Sequence, residues 1–100
     1  MRDNFLTSET IKRLEFFFPP ESREEAMRLL NQECSRNLPF LEKATPVELE
    51  RFHFAVIKLS AGNLKDLREA VDLAKLDWRD LLVAAGFANS VESHLKWRPR

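Results

Sequence analysis

Apolar residues recur along this chain at intervals of three and four, and no stretch alternates apolar and polar residues over the length of a strand. Ile11, Leu14 and Phe18 share one helical face, with Phe17 beside them. Ala26, Leu29, Leu30 and Cys34 form a second stripe. Leu49, Phe52, Val56 and Leu59, widened by Ala55, form a third, and Leu64, Leu67, Ala70, Val71 and Ala74 a fourth. Leu81, Leu82 and Ala85 mark a short fifth helix, and Val91 with Leu95 a shorter sixth. The pattern predicts an all-α fold, a compact five- to six-helix bundle in one domain spanning residues 1–100, with the third helix near its centre.

The polar residues between these stripes read as starts and stops. Thr7 is placed to cap the first helix, with Leu6 and Ile11 as a hydrophobic staple, and Pro19-Pro20 ends that helix. Ser22 and Glu25 have the spacing of a capping box for the second helix. Arg36–Ala44 reads as a loop around Pro39 that sends Leu38, Phe40 and Leu41 to the core. Thr45, Pro46 and Glu48 are the strongest start signal, with Gly62 as the left-handed stop. Asn63 and Asp77 cap the fourth and fifth helices, and Gly86 stops the fifth. Lys65 with Glu69, and Arg68 with Asp72, have the spacing of outer-face ion pairs. The sixth helix would run from Asn89 or Ser90 to about Trp97, and Arg98-Pro99-Arg100 is expected to fray.

Two helices carry more apolar residues than one face holds. On the third, Val47, Phe54 and Ile57 lie off the main stripe: either the helix is wrapped on both sides or one side meets a partner. In Phe16-Phe17-Phe18 each step turns the side chain by roughly 100°, so the three cannot share one core, and Phe16 is left over. Trp78 and Trp97, near helix ends, suit either plugs of a bundle or anchors of an interface.

Composition narrows the class. Good helix formers dominate, with only 2 Gly and no Tyr. With 16 basic and 16 acidic side chains the formal net charge is zero, which makes nucleic acid or an anionic membrane an unlikely main partner. Residues 21–50 carry four basic and seven acidic groups, and residues 51–100 nine basic and six acidic, an asymmetry compatible with self-association or with a scattered solvated surface. A single cysteine, Cys34, excludes an internal disulfide, and no apolar run reaches signal-peptide or membrane-spanning length, so the cytoplasm is the expected location.

The run Asp77-Trp78-Arg79-Asp80-Leu81-Leu82-Val83-Ala84-Ala85-Gly86-Phe87, with Asn37-Leu38-Pro39-Phe40-Leu41 upstream, resembles a family of small, uncharacterised, all-helical bacterial proteins of about this length. The resemblance covers about a sixth of the chain. It implies a bacterial, cytosolic setting and brings no catalytic residue with it.

Candidate chemistry is sparse. Cys34, His53 and His94 stand singly, without the paired spacing of a zinc site, and no metal or other cofactor is expected. Cys34 continues an apolar stripe, as a small buried side chain does. Glu24-Glu25 and Glu48/Glu50 fall in first turns, where the helix dipole accounts for them. His53 and His94 are expected to be partly exposed. Asp77–Trp97 has the outline of a helix-turn-helix, with Ser93, His94 and Lys96 outward on its second helix, but that helix is short and poor in residues that read bases. The sequence therefore points to a non-enzymatic protein–protein interaction module, either a homo-oligomer or a small regulator that binds another protein. Phe16, Val47 and Phe54 are its expected contact residues, and a DNA-binding protein using Asp77–Trp97 is the alternative.

Overall fold

The computed structural model describes residues 4–98. They form five α-helices: α1 (Ser8–Phe17), α2 (Pro20–Arg28), α3 (Pro46–Ser60), α4 (Leu64–Leu76) and α5 (Trp78–Ala85). A π turn, Leu29–Glu33, extends α2, and a single 3-10 turn, Pro39–Leu41, interrupts the loop that follows. No strand occurs among the described residues. The all-α bundle follows directly from the three- and four-residue spacing of the apolar positions.

The helix starts are set by local chemistry. The Thr7 hydroxyl accepts the backbone N–H of Thr10, and Thr45 and Glu48 form the reciprocal capping box at α3. The side chains of Asn63 and Asp77 accept the N–H groups of Asp66 and Asp80. Gly86 ends α5 in the left-handed conformation. At the end of α3 that conformation falls first on Ala61 (φ 50°) and then on Gly62 (φ 87°). A Cβ on Gly62 would stand 2.4 Å from the carbonyl oxygen of Phe17, so glycine here also allows α1 to approach closely.

α2 begins two residues earlier than the Ser22–Glu25 spacing suggests. Pro20 takes the first helical position, where its missing N–H costs nothing, and Ser22 Oγ instead donates to the Pro19 carbonyl at 3.3 Å. Glu25 is thereby released to bind Arg28 and Arg68. Arg68 thus crosses to α2 rather than pairing with Asp72, and no Lys65–Glu69 ion pair forms among the described residues.

α3 is the centre of the bundle, packed against α1, α4 and α5, while α4 also reaches α5 and α2. Nine of its fifteen residues are buried, on more than one side, including Phe54, Val56 and Ile57. Most of its surplus apolar surface is therefore wrapped by the chain itself. The buried side chains form one continuous cluster, to which Leu38 and Leu41 of the loop contribute as expected, whereas Phe40 stays 39% exposed. No described helix is long and apolar enough to cross a membrane.

The expected sixth helix does not form. Residues 90–97 make successive tight turns, with Ser93, Leu95 and Trp97 N–H groups each bonded three residues back. The cause is competition. Ser93 Oγ takes the Ser90 N–H and donates to the Ser90 carbonyl, a local alternative to helical bonding. Tertiary bonds from His94 and to Trp97 then fix the segment. Arg98 donates to the Leu95 and Trp97 carbonyls, while the expected fraying of Pro99 and Arg100 lies outside the described residues.

Candidate interaction surface

The three expected contact residues separate. Phe16 is 57% exposed and Val47 41% exposed, but Phe54 is 1% exposed and cannot be a surface contact. Its ring is enclosed by the C-terminal turns and α1. His94 and Trp97 meet it edge-on at centroid distances of 5.0 and 5.8 Å, and the Arg13 guanidinium lies 4.1 Å from its centroid. The third apolar side of α3 is thus an internal socket for residues 90–97.

Both histidines are fully buried, not partly exposed. His94 Nε2 lies 3.1 Å from Glu50 Oε1, and the Thr7 hydroxyl donates to the other oxygen of Glu50. Arg13, also buried, donates through Nη2 to the Trp97 carbonyl at 2.8 Å. These bonds pin residues 94–97 to α1 and α3. Burial holds the His94 imidazole below its ordinary pKa, opposed in part by its bond to Glu50.

On α3, His53 Nε2 lies 2.9 Å from both the Cys34 carbonyl and Ser35 Oγ, and Ser35 donates its proton to the Leu30 carbonyl. Burial pushes His53 down to about 4 and the Cys34 thiol up to about 12.

Neither constellation is arranged for nucleophilic chemistry. The Thr7 proton goes to Glu50 rather than to an imidazole, the Ser35 proton goes to a backbone carbonyl, and the thiol is held protonated. The two hydroxyls instead satisfy buried polar partners, while His53 Nδ1 and His94 Nδ1 are buried without a hydrogen-bond partner among the described residues. Among the described residues no group of three or more His, Cys, Asp or Glu side chains is disposed to hold a metal ion.

The outlying segment of the expected helix-turn-helix is also rearranged. Residues 90–97 are turns, and His94 points into the core, so no second helix presents Ser93, His94 and Lys96 together.

What the surface does offer is a cleft of about 410 Å³ between α3 and α5, lined by Arg51, Trp78, Arg79, Leu82, Val83 and Ala88. α5 builds it because Leu81, Leu82 and Ala85 turn inward, which leaves Val83 outward and 66% exposed. Phe40 stacks on Trp78 at 5.6 Å and extends the apolar surface, and Val47 lies one turn before Arg51 on α3. No family model, curated protein or solved structure matches the chain. The functional reading therefore rests on the geometry.

Two arginines set the character of this cleft. Arg51 is held by its Nε, which donates to the Phe87 carbonyl at 2.9 Å, and Arg79 lies over the Trp78 ring at 5.2 Å. Neither is paired with a carboxylate among the described residues. A larger cleft of about 480 Å³ beside α2 is different in kind. Its walls include Glu21, Glu24, Glu25, Asn31 and Gln32, and Glu25 is already held by two arginines.

Of the cleft residues, the sequence marks Trp78 as an end plug or interface anchor and Leu82 as an inward residue of the fifth helix, and the Asp77–Trp97 alternative takes in all but Arg51. A signal for the others was present. Arg79 has no acidic residue three or four positions away, and Leu81–Ala85 is apolar over five consecutive positions, too many for one inner face.

Proposed function

We propose that the protein is a non-catalytic interaction module that docks another protein through the α3–α5 cleft. One observation carries this reading: an exposed Val83, a half-exposed Phe40 and a partly buried Trp78 lie around a cleft whose two arginines meet no carboxylate among the described residues. Apolar surface gathered at one concave place and rimmed by polar groups is the usual mark of a binding site. Tryptophan and arginine are the residue types that most often dominate binding energy at such sites. Phe16 and Val47 remain surface residues, and of the two Val47 adjoins the cleft on α3. The helix-turn-helix alternative is set aside, because its recognition helix is replaced by turns with His94 inside.

The test is a photo-crosslinking amino acid placed at position 83 in the full chain, compared with the same probe at exposed Glu69 on α4. Discrete protein adducts from position 83, absent from position 69, are expected. Identical products from both positions, or none from position 83, would contradict the reading. Sedimentation of the purified chain separates a foreign partner from a second copy, since only the latter raises the mass of the protein alone with concentration.

A further inference from the structure

Resting on the docking reading above, we infer that the occupant of the α3–α5 cleft is a short acidic segment of another protein, with an apolar anchor residue flanked by Asp or Glu. The inference comes from the lining. Leu82, Val83, Ala88 and the Trp78 ring supply an apolar surface, and the only charged side chains among the six lining residues are Arg51 and Arg79. A volume of about 410 Å³ accepts a few side chains, not a second folded surface.

The arginines are prepared for carboxylates. Arg51 is oriented by its Nε bond to the Phe87 carbonyl, which leaves its two Nη groups as the end not engaged by the chain. Arg79 is steadied on Trp78. Fixed guanidinium groups bind carboxylates in a fork with little loss of freedom. Partial burial also makes the Arg51 cation harder to keep than an exposed one, as its lowered pKa reflects, so a carboxylate brought beside it relieves that cost. Lys58 is not among the lining residues, and its Nζ donates to the Ala85 carbonyl and lies over the Phe87 ring.

Two other occupants fit less well. A single-stranded nucleic acid stacks its bases on open aromatic faces, whereas Trp78 has Phe40 stacked on it at an interplanar angle of 24° and Arg79 over the ring, which leaves it as apolar lining rather than a stacking platform. A second copy of the chain would have to present a segment that enters the cleft: on α2 Glu25 is committed to Arg28 and Arg68, and exposed Leu76 beside Asp77 lies at the end of a folded helix, so dimerisation is an outcome of the test below.

The experiment is a peptide-display selection from a random library against the full chain, with the Val83→Asp variant as counter-target. Titrations of the selected peptides follow, against the original chain, Arg79→Glu and the double variant Arg51→Gln/Arg79→Glu. Expected are peptides pairing an apolar residue with nearby Asp or Glu, whose affinity falls on the order of tenfold in Arg79→Glu and weakens as salt rises. Because Arg51 also braces the Phe87 turn, Arg79→Glu alone decides the matter if the double variant is less stable. Selection of uncharged apolar peptides that bind Arg79→Glu equally well would overturn the acidic-segment inference and leave the docking face standing. Failure to select any Val83-dependent peptide would overturn both. Tight binding of a single-stranded oligonucleotide that Arg79→Glu abolishes, or concentration-dependent dimerisation that it abolishes, would replace the acidic segment with that occupant.

Discussion

Two segments close on α3, and they do it by different chemistry. Residues 90–97 have almost no regular structure, yet they are tied down by buried polar bonds, His94 to Glu50 and Arg13 to the Trp97 carbonyl, and they roof Phe54 completely. α5 is a regular helix with a side-chain cap at one end and a glycine stop at the other, yet its outer side leaves Val83 and Arg79 exposed beside a partly buried Trp78. Local regularity and completeness of packing are therefore separate properties. The irregular segment belongs to the core, and the regular helix carries the surface that is open to a partner.

The largest expected effect lies under the C-terminal turns. Phe54→Ala removes a ring with 1% exposure that contacts Arg13, His94 and Trp97, and should lower stability by about 3–5 kcal/mol. Chemical denaturation measures this. A loss below about 1 kcal/mol would mean that residues 90–97 do not enclose the ring in solution.

Acid should act next, and from about pH 6.5 down to the carboxylate range it acts through the buried side. His53 is held near 4 against an ordinary value of 6.5, so between those pH values the unfolded chain binds more protons than the folded one. Stability then falls as pH drops from about 6.5 towards 4, by on the order of 3 kcal/mol in all. His94 adds to the loss in the same direction, because burial lowers it too. Denaturation midpoints across this range should show the decline, and His53→Gln, which keeps a donor at the same place without titrating, should flatten it. An unchanged slope in that variant would show that the histidine is not buried.

Breaking the latch itself is a smaller change. His94→Leu leaves Glu50 with Thr7 as its remaining side-chain partner and should cost about 1–3 kcal/mol. Hydrogen exchange should show residues 90–97 opening before the helices; protection retained there would contradict the latch. The smallest effects belong to the open side. Val83→Asp and Phe16→Asp should each change stability by no more than about 0.5 kcal/mol, because both side chains already meet water. A large loss from Val83→Asp would close the comparison by showing that α5 has no free face.

Much of the fold was legible because it is local. Thr7, Thr45 with Glu48, Asn63, Asp77 and Gly86 each act on backbone groups a few residues away, and each does in the structure what its spacing predicts. The start of α2 departs from the Ser22–Glu25 signal because Pro20 suits the first helical position, which moves the cap to Pro19. The rest depended on contacts distant in sequence. Glu50 and His94 are 44 positions apart, so nothing near either residue announces that the two meet inside the bundle. Phe54 lies off the main stripe of α3, and nothing local in the sequence shows that a pinned run of turns 40 or more residues away, His94 and Trp97 among them, covers it. The cleft is only half legible: Arg79 has no acidic residue three or four positions away, but Arg51 has Glu48 three positions before it, and that neither arginine meets a carboxylate among the described residues depends on contacts distant in sequence.

The difference between the two sides of α3 is tested most directly by amide NMR of the full chain titrated with a selected acidic peptide. Shifts confined to Arg51, Trp78 through Val83 and Ala88, with Phe54, His94 and Trp97 unmoved, are the predicted result. Shifts centred on residues 90–97, or spread evenly over the bundle, would contradict it.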